Sequence, residues 1–181
     1  ALKHIEAQTY YKMGRFSDAA RVYESFILTN DSLLADPEHI VNVLAAYTSA
    51  GLTDKLDTLV ARIQLDRKVQ QTTTAAQDDA SLTYELVFNY ACALIATGRF
   101  KAGLAAVQFA QQMLRATHDA EGGDEDEDYK AEMTVMQVQH AFAVHKLGDA
   151  AAALEDYAAL LAPSSGATPA VRAVATNNQL C

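Results

Sequence analysis

Apolar residues recur at three- and four-residue intervals along most of the chain. The pattern predicts nine helices, over 2–13, 17–30, 37–50, 53–69, 81–97, 100–117, 130–147, 150–162 and 169–181. Two of the intervening stretches are long. Residues 70–80 are polar with no apolar period and are expected to form a loop. Residues 118–128 hold Gly122-Gly123 and the run Asp124-Glu125-Asp126-Glu127-Asp128, expected to be a solvated insertion. Asp36 before Pro37 and Thr168 before Pro169 mark helix starts: the side-chain oxygen can take a free amide, and proline stands where no amide is needed. Ser17 and Ser81 are further cap candidates.

Four short stretches resemble one another, centred on Gly14, Gly51, Gly98 and Gly148, which are 37, 47 and 50 residues apart. Each has helical periodicity on both sides of its glycine. A helix-turn-helix unit of about 34 residues, repeated four times with insertions, fits this spacing. Small residues (Ala7, Ala19, Ala91, Ala141, Ala153) alternate with large ones (Tyr10, Tyr23, Phe26, Tyr47, Leu94, Phe100, Tyr157, Leu160). That alternation resembles the tetratricopeptide repeat. The resemblance implies an all-α fold, a right-handed superhelix of four tetratricopeptide-like helix pairs plus a C-terminal capping helix. The chain would be one array over 1–181, with repeats near 2–30, 37–69, 81–117 and 130–162 and the cap over 169–181. A single repeat cannot bury its apolar face alone, so the units must stack. The alternative is an ordinary helical bundle with accidental internal similarity.

Composition narrows the partners. Of 181 residues 50% are hydrophobic and 20% charged, enough apolar material for a sizeable core. The 14 Lys and Arg against 23 Asp and Glu leave a net charge of −9. That balance disfavours nucleic acid and anionic membrane surfaces, which need clustered cations. Two cysteines, Cys92 and Cys181, exclude a disulfide scaffold and suit a reducing compartment. No apolar run is long enough for a signal peptide or a membrane span. The start lacks Met and the end at Cys181 falls within helical periodicity, so the chain is read as a fragment.

Candidate chemistry is sparse. Asp124, Asp126 and Asp128 alternate as in a calcium loop, but Tyr129 and Val135 stand where such a loop needs Gly and Glu. His140 and His145 are five apart, about 140° around a helix, and do not share a face. Core packing is expected for His140 and surface polarity for His145. Cys92 lies in an apolar helix with no neighbouring base to lower its pKa, and is expected to be buried and inert. No phosphate loop, nucleophile elbow or metal-ligand spacing occurs. No enzyme activity, metal or cofactor is expected.

What remains is a binding surface. In a curved array the first helix of each pair lines the concave side. Counting three and four along those helices gives His4, Gln8 and Tyr11 in the first repeat, and Val41, Ala45 and Thr48 in the second. It gives Glu85, Phe88, Asn89, Cys92 and Ile95 in the third, and Val138, Phe142 and His145 in the fourth, with Asn177 in the cap helix. Exposed aromatic and aliphatic residues in a groove suit a peptide or a helix. The opposing possibility is that Phe88 and Phe142 belong to the core between repeats.

The segment Thr83-Tyr84-Glu85-Leu86-Val87-Phe88-Asn89-Tyr90-Ala91-Cys92-Ala93-Leu94-Ile95 resembles the third-repeat signature of the seventy-two-kilodalton subunit family of the signal recognition particle. Ala173-Val174-Ala175-Thr176-Asn177-Asn178 is similar to the run after that family's last N-terminal repeat, and the acidic insertion is also similar. The resemblance implies a protein-binding scaffold that holds the C-terminal segment of the sixty-eight-kilodalton partner subunit, in a cytoplasmic ribonucleoprotein that targets ribosomes to the endoplasmic reticulum. It implies RNA contact only through regions outside this chain, no membrane insertion, and self-association as a possibility when the partner is absent. Asn89 and Asn177 are the expected polar anchors, since an amide both donates and accepts. The alternative is a co-chaperone-type peptide-docking module with a carboxylate clamp. Its slots fall on His4, Gln8, Asn42, Glu85 and Asn89; only Asn42 agrees, and Glu85 would repel a carboxylate.

Overall fold

The computed structural model describes residues 2–75, 81–120, 122 and 127–180. All regular structure in them is helical. The elements are α1 (Leu2–Lys12), α2 (Phe16–Phe26), α3 (Asp31–Leu34), α4 (Pro37–Ser49), α5 (Thr53–Arg62), α6 (Leu65–Ala75), α7 (Tyr84–Ala96), α8 (Phe100–Ala120), α9 (Glu127–Lys146), α10 (Ala150–Leu161) and α11 (Pro169–Gln179), with a single 3-10 turn, Pro163–Ser165, before α11. The chain divides into two compact units, Ala1–Thr97 and Gly98–Cys181.

In the first unit α1 packs on α2, α2 on α4, and α4 on both α5 and α7. The turn between α1 and α2 closes with two bonds: Gly14 N–H donates to the Tyr11 carbonyl (3.0 Å) and Arg15 N–H to that of Tyr10 (2.9 Å). The same two bonds close the turn between α4 and α5, from Gly51 to Thr48 (3.2 Å) and Leu52 to Tyr47 (3.0 Å). They recur between α9 and α10, from Gly148 to His145 (3.0 Å) and Asp149 to Val144 (3.3 Å). In each turn the glycine has positive φ, where a β-carbon is strained. The repeat read from the sequence is therefore present in the hydrogen bonding. Ala7, Ala19 and Ala46 are fully buried, which lets the helices approach, and Tyr23, Ile27, Leu44 and Tyr47 fill the space beside them.

Several boundaries differ from expectation. The predicted helix 53–69 is two helices, because Gln64 takes φ 55° and turns the chain. α6 then continues to Ala75, through half of the expected loop 70–80. Within it the hydroxyls of Thr72 and Thr73 bond back to the carbonyls of Lys68 (3.0 Å) and Val69 (2.6 Å), so these side chains are satisfied inside the helix. Residues 76–80 lie outside the described set. The predicted helix 17–30 ends at Phe26, and the one-turn helix α3 follows, where the Asn30 side chain accepts from Ser32 N–H at 3.0 Å. Asp36 and Thr168 cap α4 and α11 as expected, accepting from Glu38 N–H (3.0 Å) and Val171 N–H (3.3 Å). Ser81 does not cap α7; Thr83 does, accepting from Leu86 N–H at 3.3 Å, while the Ser81 hydroxyl receives Lys68 Nζ. Ser17 lies inside α2, whose N-cap residue Arg15 supplies no side-chain bond.

In the second unit α9 packs on both α8 and α10, and α11 on α10 and α9. The core is Val138, Ala141, Ala153, Tyr157, Leu160, Val171 and Ala175. Arg172 ties α11 to the end of α10. Its guanidinium donates to the carbonyls of Leu161 (2.8 Å), Ala162 (2.9 Å) and Ala167 (3.1 Å). The Leu161 carbonyl is one that the end of α10 leaves without an intrahelical partner, and the Ala162 carbonyl also accepts from Ser165 N–H at 3.1 Å. The expected insertion 118–128 is helical at both ends. α8 runs to Ala120, and α9 starts at Glu127, where Glu127 and Asp128 sit in a first turn that favours negative charge. The rings of His118 and Tyr129 stack there with centroids 4.1 Å apart. Asp124 and Asp126 of the calcium reading fall outside the described residues. No helix among the described residues is long and apolar enough to cross a membrane.

Candidate functional site

The first helices of the first unit, α1, α4 and α7, place most of the expected inner residues. α1 and α4 run side by side. Near their starts the rings of His4 and His39 meet with centroids 5.7 Å apart, and near their ends the hydroxyls of Tyr11 and Ser49 lie 3.1 Å apart. The His4 ring also meets Tyr23 edge-on at 6.0 Å, so His4 is half-buried rather than a free surface group. Between these contacts lies a cavity of about 190 Å³ walled by Gln8, Tyr11, Lys12, Tyr23, Asn42 and Ala45. Gln8, Tyr11 and Ala45 were expected there. Lys12 was not expected there, and Asn42 was expected only as a slot of the carboxylate-clamp alternative; it stands 47 residues before Asn89, the same interval that separates Gly51 from Gly98. Val41 and Thr48 are half-buried on α4.

On α7, Glu85 is exposed and Phe88, Asn89 and Cys92 are half-buried. Asn42 and Asn89 make the same contact: each donates its side-chain amide to the backbone carbonyl four residues before it, Glu38 at 2.7 Å and Glu85 at 2.9 Å. Burial pushes the Cys92 thiol up to about 12, which disfavours the thiolate, and the residue is half-buried rather than fully buried as expected. Ile95 is 6% exposed and cannot present a side chain to a partner: it faces the core side of α7 with Val87, Ala91 and Leu94.

In the second unit Val138 is likewise a core residue, 5% exposed, packed with Ala141 and Tyr157. The count of three and four along α9 reached one position onto the buried face. Phe142 is half-buried, edge-on to Phe100 with centroids 6.4 Å apart, and the Lys146 ammonium lies 5.2 Å from its ring centre. His145 is half-buried and Asn177 exposed. His140, expected as a packing residue, is held by polar contacts: Nδ1 is 3.1 Å from an Asp156 carboxylate oxygen and Nε2 3.4 Å from the Gln108 amide nitrogen.

A larger cavity, about 360 Å³, lies among α2, α4 and α5 and was not foreseen. Leu28, Leu59 and Tyr47 contribute apolar surface, and Glu24, Lys55 and Arg62 contribute charge. Two of those charges are paired, Lys55 Nζ to Glu24 Oε1 at 2.6 Å. No three His, Cys, Asp or Glu side chains among the described residues group as metal ligands.

Taken with the repeated turns, this defines an all-α protein of repeated helix pairs whose first helices carry half-exposed polar and aromatic side chains. Similar proteins come from one particle. Over 97% of its length the chain is 29% identical to "Signal recognition particle subunit SRP72" of Dictyostelium discoideum. It is 26% identical to SRP72 of Caenorhabditis elegans over 96% of the chain, and 24% identical to human SRP72 over 86%. The resemblance read from the sequence is borne out by these relatives. The chain spans 24%, 24% and 21% of their lengths, about a quarter of each. No protein-family model and no solved structure matches it.

Proposed function

We propose that the chain is a protein-binding module of a signal recognition particle subunit, and that it holds the C-terminal segment of the sixty-eight-kilodalton partner subunit on its first helices. The observation that carries this is the similarity to SRP72 along 97% of the chain. The form of the surface supports it: a cavity between α1 and α4 with amide, hydroxyl and aromatic walls, continued on α7 by Phe88 and Asn89. On the second unit, taken by itself, Phe142 and His145 are half-buried and Asn177 is exposed. Packing and hydrogen bonding of a bound chain account for such a surface without a reaction, so the module is non-catalytic. The particle would be cytoplasmic and reach the endoplasmic reticulum with its ribosome, and RNA contact would fall to other parts of the subunit, in keeping with the net charge of −9.

The test is titration of the purified chain with the partner's C-terminal segment by calorimetry. Association at micromolar concentration or tighter is expected, and Asn89→Ala weakens it by about 1–2 kcal/mol. Absence of association at that concentration removes the proposal.

A further inference from the structure

Glu38 and Glu85 stand 47 residues apart at matching places on α4 and α7, two helices that pack together. Both side chains are exposed, and each lies one turn before an asparagine that bonds to its backbone carbonyl. With the amide nitrogen so engaged, the carbonyl oxygen of each Asn side chain is left to accept. The strip therefore offers four acceptor groups, two of them charged. Neither α4 nor α7 contains a Lys or Arg to neutralise them. A first-turn position accounts for one carboxylate in each helix. It does not account for the acceptor that follows one turn later in both.

Beside this strip is the cavity of about 190 Å³ bounded by Gln8, Tyr11, Lys12, Tyr23, Asn42 and Ala45, where the Lys12 ammonium disfavours a cation and leaves room for one neutral side chain. Packed helices lie about 8–10 Å apart, a distance that a segment in the extended polyproline II conformation, whose side chains return to one face every third residue at about 3.1 Å per residue, covers in about three residues. The chain as a whole carries −9, so a cationic segment meets a net attraction as it approaches.

We infer that the first unit takes an extended, cationic segment of its partner, with two basic side chains about three residues apart set against Glu38 and Glu85 and a neutral side chain in the cavity beside Asn42. The inference rests on the partner-binding reading above and adds to it the chemistry of the bound segment.

The experiment is fluorescence titration of the labelled C-terminal segment of the sixty-eight-kilodalton subunit at low and at high salt. The proteins are the unaltered chain, the double variant Glu38→Gln with Glu85→Gln, and Glu155→Gln as an exposed acid on α10. Circular dichroism confirms that each is folded. The expected result is that the double variant binds roughly three- to tenfold more weakly at low salt, that the difference closes at high salt, and that Glu155→Gln binds as the unaltered chain does. Tight binding with no dependence on salt or on the two glutamates overturns the cationic segment and leaves the partner reading standing. No binding by any of the three proteins overturns both.

Discussion

Tyr47 donates its hydroxyl hydrogen to Oε1 of Glu24 at 3.1 Å, and the Lys55 ammonium reaches that same oxygen at 2.6 Å. One carboxylate oxygen on α2 thus joins α4 and α5. Tyr47 is 2% exposed, whereas half of the Lys55 side chain is open to water. Tyr47→Phe is expected to lower stability by about 1 kcal/mol, and Lys55→Ala by less, since exposed ion pairs contribute little. Urea unfolding of both variants checks the order; a larger loss for Lys55→Ala contradicts it.

Alkaline pH acts on the same region. Burial raises the Tyr23 phenol from 10.0 to about 12, with the nearby Tyr11 adding to it, and burial and then Glu24 hold Tyr47 higher still. The folded chain therefore keeps protons that the unfolded chain releases. The stability these groups give is whole below pH 10 and falls as pH rises from 10 through about 12. Denaturant midpoints measured along that range should fall, and Tyr23→Phe should flatten the slope. An unchanged slope would remove Tyr23 from the account.

Cys92 should resist alkylation. A thiol pushed up to about 12 supplies little thiolate near neutral pH, and thiolate is the reacting form. In a Cys181→Ser background, iodoacetamide is expected to label the folded chain orders of magnitude more slowly than the unfolded chain. Equal rates would contradict the burial of this group.

Two glycines with the same backbone geometry should tolerate alanine differently. Gly14 and Gly166 have φ of 73° and 72°. A β-carbon at Gly14 meets nothing within 4 Å, while one at Gly166 would stand 2.7 Å from Lys130 Cβ. Gly14→Ala should cost about 1 kcal/mol from conformation alone, and Gly166→Ala clearly more, because α9 must also give way. Thermal unfolding of the two variants decides it.

How far these features could be read from the sequence depended on whether local chemistry or tertiary packing set them. Gly51 and Gly148 end helices because their backbone requires it, and Asp36 and Thr168 cap because the adjacent proline fixes the start, so both signals were legible. Gln64 was not, since glutamine carries no mark of a left-handed turn. Residues 70–75 of α6 were missed because Gln-Gln-Thr-Thr-Thr-Ala carries no apolar period, the Thr72 and Thr73 hydroxyls bonding within the helix. On the candidate surface, counting along helices located Gln8, Tyr11 and Ala45, whose neighbours are one helix away. It misplaced Ile95 and Val138, where a rotation of one position separates surface from core. Asn42 was legible only as a slot of the clamp alternative; carrying the glycine interval over to Asn89 adds it to the partner surface as well.

Arg172 grips main-chain oxygens of residues 161, 162 and 167, atoms that every amino acid supplies. The letters at those three positions can drift without loosening the latch, provided that each replacement fits its own surroundings. The count of residues between them cannot change, since a single insertion or deletion would slide the oxygens out of the fork. The three acceptor positions are consequently strict about spacing and lenient about identity, whereas Arg172 and Gly166, which lies between two of them, are bound by their own side-chain chemistry.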